Sequence, residues 1–254
     1  LYMRRITVAA VLVALAVVAA QPAVGQSDES YSISVENAEM VETPERTIQG
    51  TTVSSIAGIS EGESLEVSVS TGTSGSYRLT LYTSDREIAQ SVELTGNDSA
   101  SMDTTNLDPG TYALAVGGFE TVQPVVIRAY ETTLSVPSES PEDDTITAEI
   151  SFSGTTPTPA TVQAVIANDE MNETITAEQT GEGEYEATIE TTYEPGDYRL
   201  YAVSQNDETV TDGFSEIIAI SGQRELSITT AGSEDENNGG DSGSGDGGSG
   251  GDGS

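Results

Sequence analysis

The feature that most constrains this chain is a unit that occurs twice. From Gly181 to Ser204 it reads GEGEYEATIETTYEPGDYRLYAVS, and about 86 residues upstream TGNDSASMDTTNLDPGTYALAVGG follows the same plan. Each copy leaves a Thr-Gly turn (Thr95-Gly96, Thr180-Gly181) and runs through an alternating strand to a Pro-Gly corner. A Tyr follows two residues after the Gly (Tyr112, Tyr198), and a second alternating strand follows that. Pro fixes φ and Gly frees it, so the pair marks a sharp reversal between strands. Two copies at this spacing predict two tandem β-domains of one type.

The rest of the chain agrees. Tyr31 to Val35 alternates, as do Leu65, Val67 and Val69 with the polar residues between them. Tyr77-Leu79-Leu81, Ile88 to Leu94, a short stretch around Met102, Tyr112-Leu114-Val116 and Val125 to Tyr130 complete a first set of seven or eight strands. Thr43-Pro44-Glu45 reads as a turn within it. A second set opens near Thr132, with Pro137 stopping its first strand and Ser138 to Asp144 as an acidic turn. Ile146 to Phe152, Val162 to Ala167, Ile175, Tyr185 to Ile189, Leu200-Ala202, Phe214 to Ile220 and Leu226-Ile228 follow. Short strands with turn signals every eight to twelve residues predict antiparallel sandwiches, and no amphipathic helix follows the leader. The expected organisation is a signal segment over 1–25, sandwiches over 26–131 and 132–231, and a tail over 232–254.

Asp and Glu number 43 against 8 basic residues, a net charge of −35, and every basic residue is Arg. Such self-repulsion strains a small domain in dilute buffer, whereas at about 1 M salt the Debye length falls to about 3 Å. Acids spread over solvent faces therefore point to a high-salt environment. They make nucleic acid and anionic membrane surfaces poor partners. The chain has no Cys, so packing alone must hold the fold. It also has no His and no Lys, which excludes Ser-His, Cys-His and Ser-Lys nucleophile pairs and the usual zinc ligands. No two carboxylates stand out as a catalytic pair, and no cofactor motif occurs. The expectation is a protein that is not an enzyme, with no catalytic, cofactor-binding or metal residues.

Arg4-Arg5, the apolar run Ile6 to Ala20 and the small residues Ala23-Val24-Gly25 read as a signal helix for export, cleaved after Gly25. The rival reading keeps the run as a membrane anchor, although it is short for a span. Beyond Gly232 the segment SEDENNGGDSGSGDGGSGGDGS has no apolar side chain, and disorder is expected there. Acidic clusters at Glu139 to Asp144, Asp207-Glu208 and Glu234 to Glu236 lack the ligand spacing of a calcium loop and read as solvated surface. Asn97-Asp98-Ser99 and Asn172-Glu173-Thr174 match the N-glycosylation acceptor pattern, both at predicted turns. At the corners, Pro109-Gly110 and Pro195-Gly196 are expected to turn the chain. Tyr112 and Tyr198 are expected to pack their rings in the core and send their hydroxyls back to nearby backbone, as in Ig-like sandwiches.

With the leader, the two corners LDPGTY and YEPGDY and the acidic tail, the chain resembles exported haloarchaeal cell-surface proteins with Ig-like sandwich repeats, including those associated with the S-layer. The resemblance spans about Ser27 to Ser254. It implies an all-β fold of two tandem Ig-like sandwiches, an extracellular or cell-surface location, and a structural or interaction role at the envelope of a halophile. Implied partners are envelope or other surface proteins, together with glycans. Membrane contact would come only through an uncleaved leader or an anchor absent from this sequence, because the Gly-rich spacer is not followed here by a sorting motif or hydrophobic anchor. The alternative reading is a ligand-binding module, a sugar-binding adhesin or a receptor's sensing half, to which a cluster of exposed aromatics would point.

Overall fold

Alternation of apolar and polar residues sends one face of a strand into a core and the other into water. The computed structural model describes residues 31–48, 51–117, 119, 121–154, 157–209 and 215–230, and within them finds nineteen strands and no helix. The expected leader, the expected cleavage after Gly25 and the expected tail lie outside the described residues.

A three-stranded sheet A has the order β1 (Tyr31–Val35), β4 (Leu65–Thr71), β7 (Asp98–Met102). A six-stranded sheet B has the order β2 (Glu39–Ile48), β3 (Thr51–Ser60), β9 (Thr121–Arg128), β8 (Gly110–Val116), β5 (Ser76–Thr83), β6 (Ile88–Thr95). Their pairings are antiparallel except β3 with β9. Leu65, Val67 and Val69 of sheet A bury against Leu79, Leu81, Leu114 and Ile127 of sheet B.

The second sandwich repeats the plan. Sheet C runs β10 (Thr132–Ser135), β12 (Thr145–Phe152), β16 (Glu184–Glu190), β15 (Glu178–Gly181). Sheet D runs β11 (Glu139–Pro141), β19 (Arg224–Thr229), β17 (Gly196–Thr209), β13 (Thr161–Ala167), β14 (Asn172–Thr176). The strand β18 (Ser215–Ile220) pairs with the far half of β17. Sheet C in this order, facing β13-β17-β19, has the connectivity of the Ig-like sandwich.

The two sandwiches are not strung end to end. Val41, Ile56 and Val126 lie on the face of sheet B turned away from its own core. They pack against Val165, Tyr201, Val203, Ile217 and Ile220 on the corresponding face of sheet D. The order of layers is therefore A, B, D, C, with a third hydrophobic core in the middle. Burial follows this order. In outer sheet C, β12 alternates between exposed and buried positions from Thr145 to Ser151, whereas β8 in sheet B is buried at every residue. Strands covered on both faces need apolar residues on both.

Three local readings change. Thr43-Pro44-Glu45 is not a turn but part of β2, where the register to β3 shifts between Glu42 and Arg46. Proline has no N–H for the ladder and is tolerated at an irregular edge. The segment after Ser138 is not only a turn, since β11 pairs in parallel with β19. Asn172 opens edge strand β14 instead of occupying a turn.

Candidate functional site

The chemistry of this chain gathers where the sandwiches meet. Strand β17 runs past its pairing with β19, and its far half pairs with β18, which lies against β8 and β9, so this strand pair extends from sheet D over sheet B. Thr111 at the start of β8 meets it with both hydrogen-bonding functions of its hydroxyl. Oγ1 donates to the Ile217 carbonyl at 3.2 Å and accepts from the Ile217 N–H at 3.2 Å. The connector after β9 is fixed as well: Ala129 N–H donates to the Ile218 carbonyl at 2.8 Å, and the Tyr130 hydroxyl meets Ser204 Oγ at 2.9 Å in a buried contact. Tyr130 also packs on Phe152, Ile218 and Ala219. A linker locked this way cannot act as a hinge without breaking buried bonds.

Glu216 on β18 fastens the other side. Its Oε1 accepts from Ser84 Oγ at 3.2 Å and from the Thr111 N–H at 3.3 Å, while Oε2 accepts from Asn206 Nδ2 at 3.2 Å. Gly110 permits this approach, because a Cβ there would lie 2.5 Å from Glu216 Oε1. Gly58 does the same for the apolar part of the junction, where a Cβ would meet Ile220 Cγ2 at 3.0 Å.

Scarce cations are placed at this junction. Arg128, 8% exposed, donates to Glu39 Oε2 at 2.7 Å and Ser60 Oγ at 3.3 Å, and pairs with Glu131 at 3.4 Å. Arg199 bridges the two sandwiches, with Nη1 on Glu42 Oε2 at 2.9 Å and Nη2 on Asp169 Oδ1 at 2.7 Å. It separates two open clefts at the rim of the junction, about 660 and 300 Å³. Met40, Pro44, Ser54 and Ser55 line the larger one, with Glu42 and Asp169 at both. Among the described residues, no group of three or more acidic side chains is disposed to hold a metal ion.

The corner residues divide between the sandwiches. Tyr112 donates its hydroxyl to the Asp108 carbonyl at 2.7 Å, and Tyr198 donates to the Glu194 carbonyl at 2.7 Å, each four residues back. Burial, with the Asp108 and Glu216 carboxylates nearby, pushes the Tyr112 hydroxyl up to about 12. Burial, with Glu194 and Glu170 adding to it, also raises Tyr198. Pro109-Gly110 faces the junction through Glu216, whereas Pro195-Gly196 is exposed and a Cβ on Gly196 would meet nothing within 4 Å. The sequon asparagines stand apart from the junction chemistry. Asn97 is exposed in the turn between β6 and β7, its Oδ1 accepting from the Thr71 N–H at 2.8 Å. Asn172 is half-buried, with a buried Oδ1 that has no hydrogen-bond partner among the described residues.

Sequence reasoning missed the junction residues, above all Tyr201, Val126 and Glu216. A signal for the apolar ones was present. Val125-Val126-Ile127, Ala164 to Ala167 and Ile217 to Ile220 are unbroken apolar runs, which a strand with a wet face does not carry. Nothing distinguished Glu216 from the other acids.

No protein-family model matches the chain, and no curated protein matches it. Among solved structures, a tetra-tandem repeat from the extending region of a large adhesion protein aligns at 14% identity over 68% of this chain, with a TM-score of 0.29. The chain spans about half of that structure, 49% of its length. A cohesin module from the Clostridium perfringens ATCC13124 family 33 glycoside hydrolase aligns at 14% identity over 41% of this chain and 99% of that one, with a TM-score of 0.23. At these TM-scores neither likeness bears on the function of this chain.

Proposed function

We propose that the chain is a non-catalytic structural and interaction protein, exported to the cell surface of a halophile, where it presents two Ig-like sandwiches as one rigid body to other surface proteins. The observation that carries this reading is the middle core. Val126, Tyr201, Val203 and Ile220, closed by Thr111, Tyr130 and Arg199, pack the sandwiches against each other, which supports a body that holds its outer loops and faces at fixed spacing. The net charge of −35 supports a salt-rich setting, and the leader supports export. Of the two sequons, Asn97 is the better acceptor, because its side chain stands in solvent.

The test is the intact mass and peptide map of the native protein recovered separately from envelope and medium. The expected species lacks residues 1–25, resides in the envelope and carries sugar at Asn97 before Asn172. An unmodified protein found only in the medium would overturn the surface role. The ligand-binding alternative is favoured by the larger rim cleft at Arg199. Saturable binding of a sugar, lost in Arg199→Ala, would decide for it.

A further inference from the structure

The second sandwich covers only part of the outer face of sheet B. Past Val126 the apolar surface continues across β8 and β5 through Ala113 and Ala115, which are 7% and 3% exposed. Two aromatic rings shelter them: Tyr82 from the end of β5 and Phe119 from the turn between β8 and β9, stacked with centroids 4.7 Å apart. Phe119 holds a φ of +84°, a conformation that bulky residues avoid, and its carbonyl accepts from Thr51 Oγ1 at 2.8 Å. The chain thus keeps a ring on this face despite an unfavourable backbone. Both rings are half-buried, and Ile88, the register partner of Tyr82 on edge strand β6, is 60% exposed. An exposed Ile beside two partly exposed rings on one sheet face makes an apolar patch open to a contact.

We propose that this half of sheet B is a dimer interface, covered by the same face of a second copy of the chain. Two observations select that occupant. First, the patch adjoins the established junction, because the outward pairs of β8 and β9 run from Thr111–Val126 to Ala113–Pro124 and Ala115–Val122, and a sheet of this same chain already covers the Val126 end. Second, the face is nearly neutral in a chain of net charge −35: the outward positions of β5, β6 and β8 carry one acid, Glu93, set opposite one base, Arg78. A second copy brought up by any acid-rich face would meet repulsion. A two-fold pairing of this face places one Arg and one Glu from each copy together, so the surface is self-complementary. Three strands at about 4.8 Å spacing and about 23 Å long make a small interface. The association therefore belongs to the weak, salt-dependent class.

Sedimentation of the full chain at about 2 M and about 0.1 M salt tests this. The expected result is a dimer at the high salt that dissociates at the low salt. Ile88→Glu and Tyr82→Glu should each be monomeric at both, with the circular dichroism of the parent. Thr147→Glu, which adds the same charge on the exposed face of sheet C, should still dimerise. A monomeric parent at high salt would overturn the proposal and leave the face to a different partner. So would a dimer that survives Ile88→Glu, or one that Thr147→Glu disrupts equally.

Discussion

Gly110 and Gly196 hold the same place in the repeated corner but do different work. A methyl group on Gly110 drives Glu216 off three hydrogen bonds, so Gly110→Ala should cost about 1–2 kcal/mol. Gly196 has open space around it and no left-handed backbone, so Gly196→Ala should stabilise by about 0.4–1 kcal/mol through the unfolded chain. Paired urea titrations check both. The corner tyrosines also predict an alkaline response. Tyr112 titrates near 12 in the folded state against 10.0 ordinarily, so folding favours its neutral form. Its contribution is complete below pH 10 and is lost as pH rises from there through about 12. Tyr112→Phe should lose about 1 kcal/mol at neutral pH with its hydrogen bond, and show a shallower decline of stability above pH 10.

At the scale of strands, sheet C bears the acidic surface in its plainest form. Register places Glu149 opposite Glu186, and Glu186 opposite Glu178, all three exposed. Like charges directly across a ladder repel, and salt at molar concentration screens that repulsion. Glu186→Gln removes both contacts. It should raise stability by about 0.5–1 kcal/mol at low salt and leave it nearly unchanged at about 2 M. Thermal midpoints across a salt series check this, and an equal gain at both ends would remove repulsion as the cause. The alternation that defines these strands was legible directly from residues such as Ile146, Ala148 and Ile150. β11 was not, because a three-residue parallel pairing leaves no periodic trace.

At the scale of the molecule, the middle core should make the sandwiches unfold together. Tyr201, 1% exposed, is the largest side chain in it. Tyr201→Ala should cost about 3–5 kcal/mol and convert one cooperative transition into two, as the sandwiches separate. Calorimetry would show the split, and X-ray scattering would show a larger radius of gyration for the variant. A single transition in Tyr201→Ala would mean that the two halves stay coupled without this ring.

The alternation, the turns and the repeated corner are local properties, and they were enough to determine an all-β chain of antiparallel sandwiches. Charge and the missing His, Lys and Cys bounded its chemistry in the same way, since composition needs no coordinates. The stacking of sheet B on sheet D was decided only in three dimensions. Val126 and Tyr201 lie 75 positions apart, and an apolar residue on the second face of a strand does not name what covers it. The role of Glu216 is still less local. One acid among 43 becomes a fastening point only because Ser84, Gly110 and Thr111 are brought to it from another sandwich.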